Sequence, residues 1–362
     1  MKKNIKVGKI EFKFLFLILF LLLNLNTNLS SSSDLEGSIT EIKVLDKISS
    51  KNILVKLKNG DEILVPSYGV ISTIHAFSSI GLIPRLVDIN ISTASITLKE
   101  ILNSITPKTK AICYVNFAGN TGRDIVEIEK FCKESNLILI EDAAEMLGHK
   151  YKGKFCGSYG DLSIFSFYSN KHITTGEGGA VLTSNPKYKN KIFDYKNLCF
   201  GKKNRFNHYD IGWNYRYTNL QASLGISQIS RINKIILKKK EIGKKYYNNL
   251  KDCKNIYIQK PKLNNIENVY WVVGILILNK KMTATKFRNE LKKYKIETRE
   301  FFWPMNKQDA LKKYNLRLKK SYKNSEYISK YGLYLPSGLG TSDKDINYVC
   351  KCVKRIKKRF NF

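Results

Sequence analysis

Two residues of this sequence stand where a reactive group would be useful. Lys171 sits inside SFYSNKHITTGEGGAV, residues 166–181, a stretch of small, polar and glycine residues where an ordinary core would place no amine. Asp142 follows the apolar run of LILIEDAAE. In an open parallel sheet, ligands bind outside the carboxyl ends of the strands, so both positions address one cleft. An amine and a carboxylate held there suit a pyridinium cofactor. The amine forms a Schiff base with its aldehyde, and the carboxylate keeps the ring nitrogen protonated so that the ring accepts electrons. A surface lysine and a capping aspartate meet the same spacing equally well, and spacing alone does not separate the two readings.

Such groups need a sheet to hold them. From Asn59 onward, short apolar segments alternate with amphipathic ones, the pattern of a parallel α/β fold. DEILVPS, IPRLVDI, KAICYVNF, LILIEDAA, LSIFSFYS and GAVLTS read as strands. RDIVEIEKFCKESN reads as a crossover helix, which the right-handed β-α-β rule places on a face of the sheet. Asn219 to about Leu250 reads as one long helix leading to a second domain. There NVYWVVGILIL is a strand, KMTATKFRNELKKYK a helix, and the C-terminus another helix. The glycines of TGEGG give the turn after Lys171 its unusual backbone angles.

Composition narrows the partners. A chain of 362 residues that is 43% hydrophobic and 12% aromatic can bury a sizeable core, as two domains. Its formal charge of +33 would attract phosphates, but the lysines scatter through nearly every segment, so no nucleic-acid partner is expected. The tail KCVKRIKKRF reads as one exposed basic helix face. The cysteines, 7 in all, have no paired C-x-x-C spacing, and the 4 histidines have no metal-ligand spacing. Neither a disulfide framework nor a metal site is expected, and the compartment is reducing. At the N-terminus, Lys2, Lys3, Lys6, Lys9 and Lys13 precede the apolar run Phe14 to Leu23, which is signal-peptide grammar. That run is short for a bilayer span, and no small-x-small cleavage site follows it. A membrane-proximal helix and a misassigned reading frame are the alternatives, and the last is preferred. The expected location is cytoplasmic, with membrane association through residues 14–23 as the other possibility.

Seven longer phrases sharpen the reading: GDEILVPSYGVIST, TPKTKAICYVNFAGN, IEDAAEMLGHKYKGKFCGSYGD, FSFYSNKHITTGEGGAV, IGWNYRYTNLQASLG, IETREFFWP and YGLYLPSGL. In that order they resemble the DegT/DnrJ/EryC1/StrS sugar aminotransferases, pyridoxal-phosphate enzymes of the aspartate-aminotransferase (type I) fold. The resemblance implies an α/β fold with a mostly parallel sheet flanked by helices, plus a smaller C-terminal α+β domain. The expected division is a divergent segment 1–58, a cofactor-binding large domain 59–235 and a small domain 236–362.

Carried over by position, the resemblance makes Lys171 the covalent anchor and proton shuttle and sets Asp142 against the pyridine nitrogen. Glu145 falls near the cofactor's phenolic oxygen and Ser166 at its phosphate. Asn214 matches a contact that reaches the cofactor from the partner subunit, which implies a homodimer with shared active sites. Without the family, Ser166 reads as a strand-end turn residue and Asn214 as a loop residue. Relatives with histidine in place of Lys171 are sugar 3-dehydratases, so the lysine implies transamination, and His172 is only a neighbour. EDAAE, IETREFFWP and LYLPSG are most similar to enzymes that aminate C4 of a nucleotide-linked 4-keto-6-deoxy sugar, with glutamate as donor, for surface polysaccharide. Phe302 and Trp303 would line the sugar side, where aromatic faces suit a hexose, or pack in the core. Asn306 stands where relatives commonly have histidine.

Two departures weigh against this. Residues 35–58 contain no Ser/Asn-Gly-Thr turn of the kind that holds the cofactor phosphate at a helix N-terminus. Val70 occupies the place of the aromatic residue that stacks on the pyridine ring, and a valine covers a ring without stacking on it. Weak cofactor binding is therefore expected. A catalytically impaired relative and a membrane-tethered, non-enzymatic one remain as alternatives.

Overall fold

The structure is a computed structural model that describes residues 57–361, apart from 123, 264, 265, 315 and 317, together with the backbone of Lys43–Leu45. The apolar run 14–23 lies outside the described residues, and so does nearly all of the 35–58 stretch in which a phosphate-binding turn was sought.

All six segments read as strands contain strands, most of them shorter than read and one starting a residue earlier at Thr109, and they join in one sheet of seven. Across the sheet the order is Lys43–Leu45, Gly179–Leu182, Leu162–Ser166, Ile138–Asp142, Thr109–Val115, Glu62–Pro66 and Ile83–Val87. The last five of these pair in parallel, whereas Gly179–Leu182 runs antiparallel to both its neighbours. Runs such as Ile63, Leu64 and Val65 are buried on both faces, as central strands covered on two sides must be. The helix Ile125–Glu134 supplies part of that cover, burying Ile125, Ile128 and Cys132 along one stripe. Register brings Asp142 level with Val115 and Ile164, so the carboxyl ends of three strands open on the same edge.

A second, four-stranded antiparallel sheet has the order Ile256–Ile258, Val273–Ile277, Gly332–Leu335, Arg299–Glu300. It has its own core, in which Tyr246, Phe287 and Val353 come from the helices Ile232–Leu250, Ala284–Lys292 and Asp343–Arg359.

Two expectations need correction. Asn219 to Leu250 is not one helix but two, Asn219–Ile229 and Ile232–Leu250. At the break, the Ser227 carbonyl accepts from the Ser230 hydroxyl and the Arg231 side chain, both at 3.1 Å, in place of the next turn's amide. The segment NVYWVVGILIL is a strand only from Val273. Before it, Asn268 Oδ1 accepts from the Tyr270 N–H at 2.7 Å, and Tyr270 has φ +49°, a local turn that a strand cannot include.

Among the described residues all seven cysteines are free, no cluster of His, Cys, Asp and Glu could hold a metal, and no helix is long and apolar enough to cross a membrane.

Candidate active site

A cleft of about 740 Å³ opens at the carboxyl edge of the large sheet, and Thr73, Asp142, Glu145, Ser166, Lys171 and Trp271 are among its walls. Each position follows from local structure. Asp142 is the last residue of its strand; its Oδ1 accepts from the Ala144 N–H at 3.1 Å and its Oδ2 from the Thr73 hydroxyl at 3.5 Å. Burial raises this carboxyl above its ordinary range, and the Ala144 amide, the Lys171 ammonium and Thr73 act in the opposite direction. Glu145 follows in the turn after the strand. Its Oε2 accepts from the Ala118 N–H at 2.6 Å, and its Oε1 lies 3.5 Å from Lys171 Nζ. Burial pushes its carboxyl up to about 7, against the pull of the nearby ammonium.

Lys171 is carried by the loop between Leu162–Ser166 and Gly179–Leu182, and only 12% of its side chain is exposed. Its ammonium also stands 4.1 Å from the centroid of the Trp271 ring. Ser166 ends the preceding strand, and its hydroxyl accepts from the Tyr168 N–H at 3.2 Å. Val70 precedes the helix Ile71–Ser78, is exposed, and lines the cleft.

Other expected residues are placed apart. Phe302 joins the wall, its ring 5.6 Å from Phe117 and 6.1 Å from Tyr68. Trp303 does not: it is 61% exposed, and its Nε1–H donates to the Lys307 carbonyl at 3.1 Å. With Phe302 directed inward onto two rings, the next side chain leaves on the other side. Asn214 is exposed and outside the lining of this cleft, its backbone bridged to Asn197. His172 is buried with Nε2 at 3.2 Å from the Val269 carbonyl; burial and Lys239 lower its pKa to about 4, leaving a neutral ring that donates to that carbonyl. Asn306 donates to Glu326 at 3.0 Å and to the Lys320 carbonyl at 3.3 Å.

The cleft also holds residues that sequence reasoning did not single out. Thr73 and Arg299 lie within the phrases GDEILVPSYGVIST and IETREFFWP, so the signal was present. Tyr334 likewise lies within YGLYLPSGL, whereas Trp271 belongs to an apolar segment outside those phrases and gave none. Together the walls offer one amine between two carboxylates whose proton affinity burial has raised. Such a set can hold a proton and pass it over a short distance at neutral pH.

The chain matches the DegT/DnrJ/EryC1/StrS aminotransferase family over residues 48–354. GDP-perosamine synthase of Escherichia coli O157:H7 is 33% identical over 300 residues, which are 83% of this chain and 80% of that protein. The GDP-perosamine synthase of Vibrio cholerae is 32% identical over 301 residues, 82% of this chain and 80% of its own length. Among solved structures, Helicobacter pylori PseC, an aminotransferase involved in the biosynthesis of pseudoaminic acid, superposes with a TM-score of 0.83 at 22% identity, covering 100% of this chain and 94% of that one. The match over most of the length and the relatives above agree: this chain belongs to the DegT/DnrJ/EryC1/StrS aminotransferase family.

Proposed function

We propose that this chain is a pyridoxal-phosphate-dependent aminotransferase that aminates C4 of a nucleotide-linked 4-keto-6-deoxy sugar, with glutamate as amino donor, in surface polysaccharide biosynthesis. The observation that carries the reading is the gathering of the Lys171 amine with the Asp142 and Glu145 carboxylates in one cleft of about 740 Å³, a size that admits a large ligand. This donor set fits pyridoxal phosphate. Lys171 would hold it covalently, Asp142 would face its ring nitrogen, Glu145 its phenolic oxygen and Ser166 its phosphate, with Val70 over the ring. Bound there, the cofactor supplies an electron sink for the carbon that loses its proton.

The remaining work falls to the protein's own groups. The Ala144 amide and the Thr73 hydroxyl fix the Asp142 carboxylate in orientation, which a partner for a ring nitrogen requires. The Lys171 amine moves the proton, and Glu145, whose carboxyl titrates at about 7, can hold one at Oε1 beside it. Phe302 and Tyr334 offer aromatic faces on the sugar side. The family resemblance implies dehydration where histidine replaces this lysine, so Lys171 supports transamination.

The active unit we infer is a cytoplasmic homodimer in which Asn214, exposed and outside the lining of its own cleft, completes the partner's site. A second reading, a catalytically impaired family member, is favoured by Val70, which cannot stack on a ring.

The test loads the purified chain with pyridoxal phosphate, reduces it with borohydride and maps the peptides. The label is expected on Lys171, and a label on any other lysine overturns the assignment. Incubation with glutamate and a panel of nucleotide-linked 4-keto-6-deoxy hexoses should release 2-oxoglutarate. A labelled protein that transfers no nitrogen to any of them supports the impaired reading.

A further inference from the structure

One short segment grips the reactive loop at three consecutive residues. The indole N–H of Trp271 donates to the Asn170 carbonyl at 2.8 Å. The Lys171 ammonium stands 4.1 Å from the centroid of that same indole ring. The His172 ring meets the Val269 carbonyl at 3.2 Å. The gripping segment is itself fixed, since the Val269 N–H donates to the Gly119 carbonyl at 2.9 Å and the Tyr270 N–H to Asn268 Oδ1 at 2.7 Å. Trp271 is 4% exposed within the main core, so its ring has little room to drift.

We propose that Trp271 is the positioning residue of Lys171. Its N–H fixes the backbone just before the lysine, and its face holds the ammonium from a second side, Glu145 Oε1 being 3.5 Å from the same nitrogen. A free lysine side chain has much rotamer freedom to lose, and an amine placed in advance reaches a reacting atom without that loss. An indole face is also the strongest aromatic partner for a cation, which a buried ammonium needs. The tryptophan arrives from the irregular stretch ahead of Val273–Ile277, so the bend at Asn268–Tyr270 that ends the strand early also delivers the ring. The purpose of this contact rests on the proposed role of Lys171. The contact itself is tested with no cofactor bound, so either can fail without the other.

Two measurements on the full-length chain, freed of carbonyl ligands by dialysis against hydroxylamine, decide the matter. In the first, lysines are acylated at one mildly alkaline pH and quantified by peptide mass spectrometry. Loss of the ring face in Trp271→Leu should raise labelling of Lys171 by about two- to thirtyfold relative to Lys239, a lysine buried elsewhere in the described structure. A general loosening of the core would raise both, and an unchanged ratio overturns the proposal. In the second, Trp271 is kept and the other two tryptophans are replaced, as Trp213→Phe and Trp303→Phe, so that Trp271 alone emits. Lys171→Met should change the emission and Lys171→Arg, which returns a cation to the ring, should restore it. An emission indifferent to both changes overturns the proposal even if Trp271→Leu fails to fold.

Discussion

At the scale of single residues the site is a balance of charge. Glu145 illustrates it, because its carboxyl titrates at about 7 when folded against an ordinary 4.5. Between those values the native state holds a proton that the unfolded state has released, so stability falls as pH rises through that window. The contribution is fully present below about pH 4.5 and lost once pH has passed about 7. Glu145→Gln removes the dependence while leaving an oxygen for the Ala118 amide. Denaturant unfolding should find the variant equal to its parent near pH 4.5 and more stable by about 1–3 kcal/mol near pH 8. The histidines cancel in this comparison, being the same in both proteins. Val70 supplies a second expectation. Val70→Phe should tighten pyridoxal phosphate by about two- to tenfold in a spectroscopic titration, the range an aromatic contact supplies; an unchanged affinity would mean that the ring does not lie against this position. Lys171 and Asp142 stood out in the sequence because an amine among glycines and a carboxylate after an apolar run are chemically out of place. Spacing alone left a surface lysine and a capping aspartate equally open, and the structure adds that Lys171 and Asp142 share one cleft. Trp271 did not stand out, since a tryptophan in an apolar strand looks like core until its neighbours are known. Trp303 misled for the complementary reason: its type suits a sugar, but one residue's shift along extended backbone changes the side it faces.

At the scale of elements, strands were the most legible part, because segments buried on both faces are apolar without interruption and bounded by turn residues. Their order across the sheet was not, since pairing partners far apart in sequence leave no local mark. The break at Ser230 and the turn at Asn268 escaped notice because side chains competing for a backbone group look like ordinary polar residues in a periodic run. The segment Asn268–Val272 has a further requirement that sequence does not announce. A Cβ at Gly119 would sit 2.5 Å from the Trp271 backbone nitrogen and 2.6 Å from that of Tyr270, and the glycine has φ +84°. Backbone cannot yield as a flexible side chain can, and that φ is one L side chains rarely adopt. Gly119→Ala should therefore cost about 2 kcal/mol or more in unfolding experiments. It should also push the segment off Lys171, so a variant that loses stability yet keeps the parent's Trp271 emission would show that the two are uncoupled.

At the scale of the whole molecule, two features oppose each other. The chain carries a net charge of +33, which drives copies apart. Yet within the stretch 206–237 of the sequence, Phe206 is 79% exposed, Ile211 76%, Leu220 75% and Leu237 66%, and Asn214 falls in the same stretch. Exposed apolar area of this kind marks an association surface. The proposed homodimer, built on these side chains, would bury them against long-range repulsion, and salt screens only the repulsion, with a Debye length near 8 Å at physiological ionic strength. Self-association should therefore strengthen as salt rises from about 0.05 to 0.5 M, the reverse of an assembly held by ion pairs. Analytical ultracentrifugation of the purified chain across that range checks the sign. Ile211→Asp combined with Leu220→Asp should give a monomer at every salt concentration and weaken pyridoxal phosphate with it, because in the proposed dimer Asn214 completes the partner's cleft. Asn214→Ala should weaken the cofactor and leave the dimer intact. A parent chain that is monomeric throughout, or a charged double variant that still dimerises, would remove this face from the account and Asn214 with it.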